Sequence, residues 1–217
     1  MKNVVLGAAL GLVLLGGRVA SAQSMWVEKF QDNSHGWQDK SSANRSLELG
    51  GGTYHAKYVS PNPTSMVLLP MQMNFPDKGQ DVALEATMRA NGRAGLMWGN
   101  MARAATDRFM LLSLENTSGG PRLVGRMFLA SNGSMNDVLS AELPAGFNPA
   151  GEHVVRMLRK GSDLFFFVDG TLLEKKLPAA QGWPDGSRVI GFQMQQQGDE
   201  LWASQLLFGD LPPVAKR

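Results

Sequence analysis

The stretch that decides the fold is HVVRMLRKGSDLFFFVDGTLLE (residues 153–174), followed after a loop by SRVIGFQMQ (residues 187–195). Turn residues separate the runs, and the two-residue turn Asp169-Gly170 is a strong β-hairpin signal because both of its residues must adopt positive φ. The pattern predicts one antiparallel meander of four strands, which are His153–Arg159, Asp163–Val168, Thr171–Glu174 and Ser187–Gln195.

The two faces of these strands follow from alternation, because successive side chains point to opposite sides of a sheet. In the strand Asp163–Val168 the even-numbered residues are apolar, and Phe165 and Phe167 make the other face apolar too. This predicts a mid-sheet strand covered on both sides. The last strand is apolar on one face and carries Gln193 and Gln195 on the other.

Other strand-like runs, separated by turn residues, extend over the rest of the chain. They are Met25–Phe30, Ser46–Leu49, Gly52–Val59, Ser65–Met73, Asp81–Ala90, Arg93–Gly99, Arg108–Glu115, Pro121–Leu129, Met135–Ala141 and Leu201–Phe208. Many short strands with no internal repeat and no predicted helix indicate one all-β domain, a sandwich or barrel. Trp26, Trp37 and Trp98 lie in or beside strands and are predicted to belong to the core.

The first 22 residues have the features of a signal peptide. Lys2 precedes the apolar run Val4–Leu15, which is too short to span a bilayer, and Ala20-Ser21-Ala22 has the small residues of a cleavage site. We therefore expect a signal peptide at 1–22, a β-sandwich at 23–210 and a flexible tail at 211–217. The mature protein is predicted to be secreted or periplasmic without membrane insertion, and an uncleaved N-terminal anchor is the alternative.

Charge and composition exclude several functions. The chain has 21 Lys and Arg against 19 Asp and Glu, and loss of Lys2 and Arg18 leaves 19 of each. A mature domain with no net charge has no overall field to attract nucleic acid or acidic membranes. The chain has no Cys, which excludes thiol catalysis, iron–sulfur clusters and cysteine zinc sites.

Several motifs occur in an order that is found in a known family. Phe30–Trp37 (FQDNSHGW) is similar to F-x-D-N-x-x-G-W, Asp81–Arg89 to a D-F-x-I-E-A-T strand, and Gly95–Gly99 (GLMWG) to G-L-x-F/W-G. Together with Glu152–Lys176, they resemble bacterial laminin-G-like, concanavalin A-like jelly-roll domains over about residues 26–210. The resemblance implies an antiparallel two-sheet jelly-roll sandwich with one concave sheet. Members of this fold bind sugars, hydrolyse or cleave polysaccharides, or bind other proteins.

Catalytic residues are not evident in the sequence. Related laminarinases place Glu-x-Asp-x-Glu on one strand, which is missing here, and glycosidases need two carboxyls about 5–9.5 Å apart. Glu85 and Glu115 are the one pair that we consider for a site built from separate strands. A lyase would need a Tyr or His base, and the adjacent Tyr54 and His55 point to opposite faces. The remaining candidates for such a base are Tyr58, His35 and His153.

The leading hypothesis is an exported, non-catalytic module that binds a glycan or a cell-envelope partner. Trp183 lies in a predicted loop, where it is either an exposed stacking platform or a cap on the edge of the sandwich. A set of polar residues is predicted to line the concave face: Glu85, Thr87, Arg89, Gln193 and Gln195. Two alternatives stay open, a polysaccharide hydrolase or lyase with a scattered active site, and an envelope protein-interaction or structural component.

No cofactor is predicted, and calcium is the one alternative. Calcium prefers several oxygen ligands, and the candidate ligands are Asn132, Asn136 and Asp137 in one loop, with Asp32, Asn33, Asp199 and Glu200 elsewhere. Loops rich in Asn and Asp are more often ordinary turns.

We expect the mature protein to begin at Gln23, because the small residues before it suit a signal peptidase. N-terminal sequencing or intact mass of the exported protein measures this. A mature product that still carries residues 1–22 would contradict the prediction and support the anchor.

Overall fold

The computed structural model describes residues 25–59, 67–73, 81–100, 107–173, 175–183 and 189–209. The predicted signal peptide (1–22) and tail (211–217) lie outside these ranges, as do Ser65, Glu174 and Ser187 at the ends of predicted strands. In the described ranges, no helix has the length and apolar character that are needed to cross a bilayer.

The described residues form two antiparallel sheets, which confirms the predicted all-β, two-sheet jelly-roll sandwich. In chain order the elements are β1 (Trp26–Glu28), β2 (Arg45–Gly50), β3 (Thr53–Tyr58), β4 (Val67–Gln72), β5 (Val82–Asn91), β6 (Ala94–Asn100), β7 (Arg108–Thr117), β8 (Gly120–Leu129), β9 (Ser134–Glu142), β10 (Glu152–Lys160), β11 (Asp163–Val168), β12 (Thr171–Leu172), β13 (Leu177–Pro178), α1 (Ala179–Gly182), β14 (Val189–Met194) and β15 (Glu200–Gly209). The one-turn helix α1 is a departure from the prediction that the mature chain has no helix.

The sheets differ in size. Sheet A has the order β12-β11-β10-β5-β15-β3-β2, with β1 also paired to β15 and β13 to β11. Sheet B has the order β4-β14-β6-β7-β8-β9. We call the face of each sheet that packs on the other sheet its inner face, and the opposite face its outer face.

The predicted hairpin is confirmed. β11 spans the predicted residues, and Asp169 and Gly170 have φ of 49° and 80°, as its tight turn requires. β10 pairs with β11 so that Met157 lies opposite Phe166.

Two predictions about this region are wrong. The meander ends at β12, because β13 and α1 carry the chain across to sheet B, where β14 lies between β4 and β6. β11 is not covered on both sides either. Its inner face is buried, whereas Phe165 and Phe167 on the outer face are only partly buried.

The inner faces of both sheets form one hydrophobic core, whose burial supplies the main stabilising free energy. Leu84 and Met88 contribute from sheet A, and Trp98 and Leu112 contribute from sheet B. Trp98 is fully buried, which agrees with the sequence prediction. Trp26 is partly buried and packs against the edge of this core.

The motif Phe30–Trp37 is fixed by one buried carboxylate, that of Glu28. Its Oε1 accepts a hydrogen bond of 2.6 Å from the Phe30 N–H, and its Oε2 accepts one of 2.7 Å from Trp37 Nε1. Phe30 and Trp37 are both buried, and Trp37 contacts Phe192 of sheet B with ring centroids 5.8 Å apart. The motif therefore places two aromatic rings between the sheets.

Phe166→Ala should destabilise the domain by about 3–5 kcal/mol, because truncation of a fully buried Phe leaves a cavity. Urea denaturation measures this loss, with Phe165→Ala as the matched control on the outer face of the same strand. We expect the control to lose less than half as much. Equal losses for both variants would contradict the assignment of faces.

Candidate functional site

The structure does not bring the predicted glycan-binding residues together. Glu85 and Arg89 lie on the outer face of sheet A, and Gln193 lies on β14 of sheet B. The prediction that they line one concave face is therefore wrong. Alternation along a strand assigns faces but does not reveal which sheet contains the strand.

On sheet A, Glu85 and Arg89 both have partners. Arg156 Nε donates a 2.6 Å hydrogen bond to Glu85 Oε2, and both side chains are only 12–13% exposed. The Arg89 guanidinium lies 3.9 Å from the centre of the Trp202 ring, and His55 stacks on Trp202 at 4.8 Å. Trp202 lies on the middle one of three neighbouring strands, so Arg89 covers one face of its indole and His55 covers the other.

On sheet B, Gln193 is fully buried, and Gln195 is half-buried just past the end of β14. In the strand register Gln193 aligns with Gly95 and, one strand further, with Ser113. Of the two amides predicted to line the concave face, Gln193 is therefore buried within sheet B, and Gln195 follows the end of its strand.

Trp183 follows α1 and is half-buried. Its ring packs against the core cluster, and the buried Arg159 guanidinium lies 5.2 Å from the ring centre. This geometry matches the edge-cap alternative. Stacking of a ligand on Trp183 stays a prediction.

The carboxyl pair Glu85 and Glu115 does not converge, because the two residues lie on the outer faces of different sheets. Along β7 the outward positions are Phe109, Leu111, Ser113 and Glu115. This strand therefore presents one carboxylate where a Glu-x-Asp-x-Glu strand would present three.

Three of the candidate bases for a lyase, Tyr54, Tyr58 and His153, are buried or hydrogen-bonded within the protein. Burial raises the pKa of Tyr54, and its hydroxyl donates a 2.6 Å hydrogen bond to the Gln38 carbonyl. The two ring nitrogens of His153 lie 2.8 Å from Asp169 Oδ2 and from the Asn148 carbonyl. Tyr58 is fully buried in the core. None of these side chains is placed to abstract a proton from a substrate.

Several of the candidate calcium ligands have hydrogen-bond partners within the protein. Asn132 accepts a hydrogen bond from the Ser134 N–H, and Asp32 accepts one from the Ser34 N–H, as in ordinary Asx turns. Asp137 binds Arg126, as described below. Among the described residues, no three His, Cys, Asp or Glu side chains are close enough to share a metal ion.

A charged network that the sequence did not reveal lies on β7, β8 and β9 of sheet B. Arg126 donates from Nη1 and Nη2 to the two carboxylate oxygens of Glu115 and from Nε to Asp137 Oδ1 at 2.8 Å. Ser113 Oγ donates to Glu115 Oε1 at 2.6 Å. Glu115 and Arg126 are only 8% and 7% exposed, so this ion pair is almost fully removed from water.

The network keeps both partners ionised. Burial alone would raise the pKa of Glu115, but hydrogen bonds from Arg126 and Ser113, with the charges of Arg126 and Arg93, outweigh it and lower that pKa. Burial likewise disfavours the charged guanidinium, and the bonds to Glu115 and Asp137 more than compensate, so that they raise the pKa of Arg126.

A polar cleft of about 600 Å³ opens beside this network at one end of the sandwich. Its lining includes Asn91, Arg93, Thr117 and Gln196 together with Glu115, Arg126 and Asp137. Guanidinium, carboxylate and amide groups at fixed positions suit hydrogen bonding to a ligand that is rich in hydroxyl groups.

The rim of the cleft is set by the buried carboxylate of Asp199. It accepts hydrogen bonds of 2.8–3.0 Å from the backbone N–H groups of Arg93, Gln195 and Gln196, which joins the β5–β6 and β14–β15 turns. At Gly92, φ is +75° and a Cβ would lie 2.1 Å from Asp199 Oδ1, so only glycine fits this turn.

Comparisons with known proteins bear on the fold. No family model and no curated protein matches the sequence. The laminarinase catalytic domain of Thermotoga maritima superposes with a TM-score of 0.56 at 12% identity, over 88% of this chain and 100% of that one. The κ-carrageenase of Pseudoalteromonas carrageenovora gives 0.52 at 10% identity, over 91% and 98%.

These solved structures share the two-sheet, antiparallel jelly-roll architecture of this chain. The laminarinase catalytic domain of Thermotoga petrophila agrees, with a TM-score of 0.54 at 12% identity over 86% of this chain and 97% of that one. At such identities the likeness establishes the architecture of the domain.

Glu115→Gln should destabilise the domain by about 3–5 kcal/mol near pH 7, because it leaves Arg126 without its main counter-charge. The pKa of Glu115 is lower in the folded chain than its ordinary value of 4.5. The stabilisation is therefore fully present above that value and is lost as the pH falls through the folded pKa. Urea denaturation of the wild-type protein and of Glu115→Gln, near pH 7 and at about pH 3, measures the difference in their free energies of unfolding. This difference should be smaller at the acidic pH.

Asp137→Asn is the matched control, since the Asp137 side chain is 63% exposed. We expect its effect to stay below about 1 kcal/mol. If Glu115→Gln lowers the free energy of unfolding equally at both pH values, ionisation of Glu115 does not stabilise the fold.

Proposed function

We propose that the protein binds a neutral polysaccharide in the polar cleft beside Arg126. The observation that carries the proposal is the buried Glu115–Arg126 pair at the wall of that cleft, with Asp137 on the same guanidinium. A preorganised charged pair donates and accepts hydrogen bonds without first reordering its own side chains.

The balance of charge favours a neutral ligand. The charged groups of the described lining are two guanidiniums, Arg93 and Arg126, and two carboxylates, Glu115 and Asp137. A sulfated or carboxylated chain would gain little net attraction there, whereas sugar hydroxyls can pair with the exposed guanidinium of Arg93 and with the Asp137 carboxylate, which is 63% exposed.

Hydrolysis of the polysaccharide is the second candidate, and the comparisons favour it over a non-catalytic module because the similar solved structures include a laminarinase and a κ-carrageenase. In this alternative the Glu115 carboxylate attacks the anomeric carbon while the glycosidic C–O bond breaks, and Asp137, which also contacts Arg126, must be protonated to give its proton to the leaving oxygen. Water activated by Asp137 then releases the sugar from Glu115.

A pairing of Glu115 with Asp107 does not meet the distance that hydrolysis needs. The two residues are eight positions apart on one extended segment, roughly 26 Å at about 3.3 Å per residue. Glycosidase carboxyls lie about 5–9.5 Å apart.

The cellular location and the laminin-G-like resemblance are predictions from the sequence alone. We propose that the mature protein works in the periplasm or outside the cell, as its predicted signal peptide suggests. The laminin-G-like resemblance, the envelope partner and the calcium alternative stay predictions.

Arg93→Ala should weaken binding of laminarin about 10-fold, because a hydrogen bond to a charged donor contributes about 1.5 kcal/mol or more. Isothermal calorimetry measures the affinity, with κ-carrageenan as the anionic comparison, which we expect to bind more weakly. Arg108→Ala is the matched control, an exposed Arg at the other end of β7. Failure of both polysaccharides to bind, or equal effects of both substitutions, would overturn the proposal.

Analysis of the polysaccharides after incubation with the protein distinguishes hydrolysis from binding alone. New reducing ends that disappear in Glu115→Gln would establish hydrolysis. Binding without any product would establish the non-catalytic module.

A further inference from the structure

A second cleft, also of about 600 Å³, lies beside β1 on the outer face of sheet A. Its floor is apolar, since Val27 and Leu207 lie directly opposite each other in the β1–β15 register. Polar side chains surround this floor, among them Gln31 and Gln205. The cleft is thus on the opposite sheet from the Arg126 cleft.

The imidazole of His35 lies in the lining of this cleft, and its contact with Glu28 fixes its orientation. His35 Nδ1 lies 2.7 Å from Oε2 of Glu28, whose side chain is only 5% exposed, whereas the His35 side chain is 38% exposed. Because the carboxylate is an acceptor, Nδ1 carries a hydrogen, and this leaves Nε2 as the ring atom that can accept a hydrogen bond when the imidazole carries one proton. Within the described part of the chain, His35 makes no hydrogen bond through Nε2.

The backbone next to this imidazole is strained. Phe30, a bulky residue, has φ of 52°, and its N–H donates to the same Glu28 carboxylate. Such outliers concentrate at functional sites, where the surrounding structure maintains them. The Glu28 carboxylate therefore holds three groups in place simultaneously, which are the strained Phe30 backbone, the Trp37 indole and the His35 ring.

We propose that this cleft is a second binding site, for a single neutral sugar residue. The apolar C–H face of the sugar packs on Val27 and Leu207, and one of its hydroxyls donates to Nε2 of His35. The amides of Gln31 and Gln205 supply further donors and acceptors. This site does not depend on the Arg126 cleft.

Charge and geometry select this ligand class. The exposed charges in the lining are one cation, Lys29, and one carboxylate, Asp32, which favours a neutral compound. Acyl transfer would need a nucleophile bonded to His35, and in the described residues Ser34 makes no such bond. The imidazole thus serves as a hydrogen-bond acceptor.

Nitrogen–proton NMR of the histidine rings tests the proposal, because the chain has three His. Glucose, cellobiose and maltose are titrated in turn into the full mature protein. We expect the His35 signals to shift and to retain the Nδ1–H pattern, while His55 and His153 stay unchanged as internal controls. No shift of His35 with any of the three sugars, or equal shifts of all three rings, would overturn the proposal.

Two variants separate this site from the Arg126 cleft. His35→Phe keeps a planar ring but has no acceptor, and should weaken the sugar affinity at least 10-fold. Arg93→Ala, which changes only the other cleft, should leave the sugar-induced shifts of the His35 signals unchanged. If Arg93→Ala abolishes the sugar response and His35→Phe does not, the sugar binds in the other cleft and this inference fails.

Discussion

Four aromatic rings between the sheets are the contact on which the rest of the structure depends. Phe30, Trp37 and Tyr54 pack together from the sheet A side, and all three contact Phe192 of β14, with centroid distances of 5.4–6.3 Å. Such pairs contribute roughly 0.5–1.5 kcal/mol each beyond burial of their area. The carboxylate of Glu28 accepts hydrogen bonds from the Phe30 N–H and the Trp37 indole, and it therefore fixes the position of two of these four rings.

Three buried carboxylates hold the residues around the two clefts in place. Glu28 organises the β1 cleft, Asp199 joins two turns at the rim of the polar cleft, and Glu115 neutralises Arg126 in its wall. An ionised group that is removed from water must find several donors, and those donors then become fixed in position. The hydrophobic core thus determines the architecture, and the satisfied charges determine where a ligand can find rigid polar atoms.

Local signals in the sequence were enough for the strands but not for their assembly. β11 agrees residue for residue because Asp169-Gly170 fixes its end, whereas the alternation in β14 would look the same in either sheet. Arg126 and Glu115 meet across a hairpin over 11 positions, and only their charge within apolar strands hints at a buried pair. The sheet membership of Gln193 depends on contacts with distant strands, which one sequence does not reveal.

The position of β15 has a consequence for biosynthesis. This last strand runs through the middle of sheet A, with β5 along one edge and β3 and β1 along the other. β15 is synthesised after all the strands that pair with it, so β1 cannot form its pairing with β15 until the end of β15 has been made. Contacts between such remote segments fold slowly. Sheet A can therefore be completed only after its last strand has been synthesised.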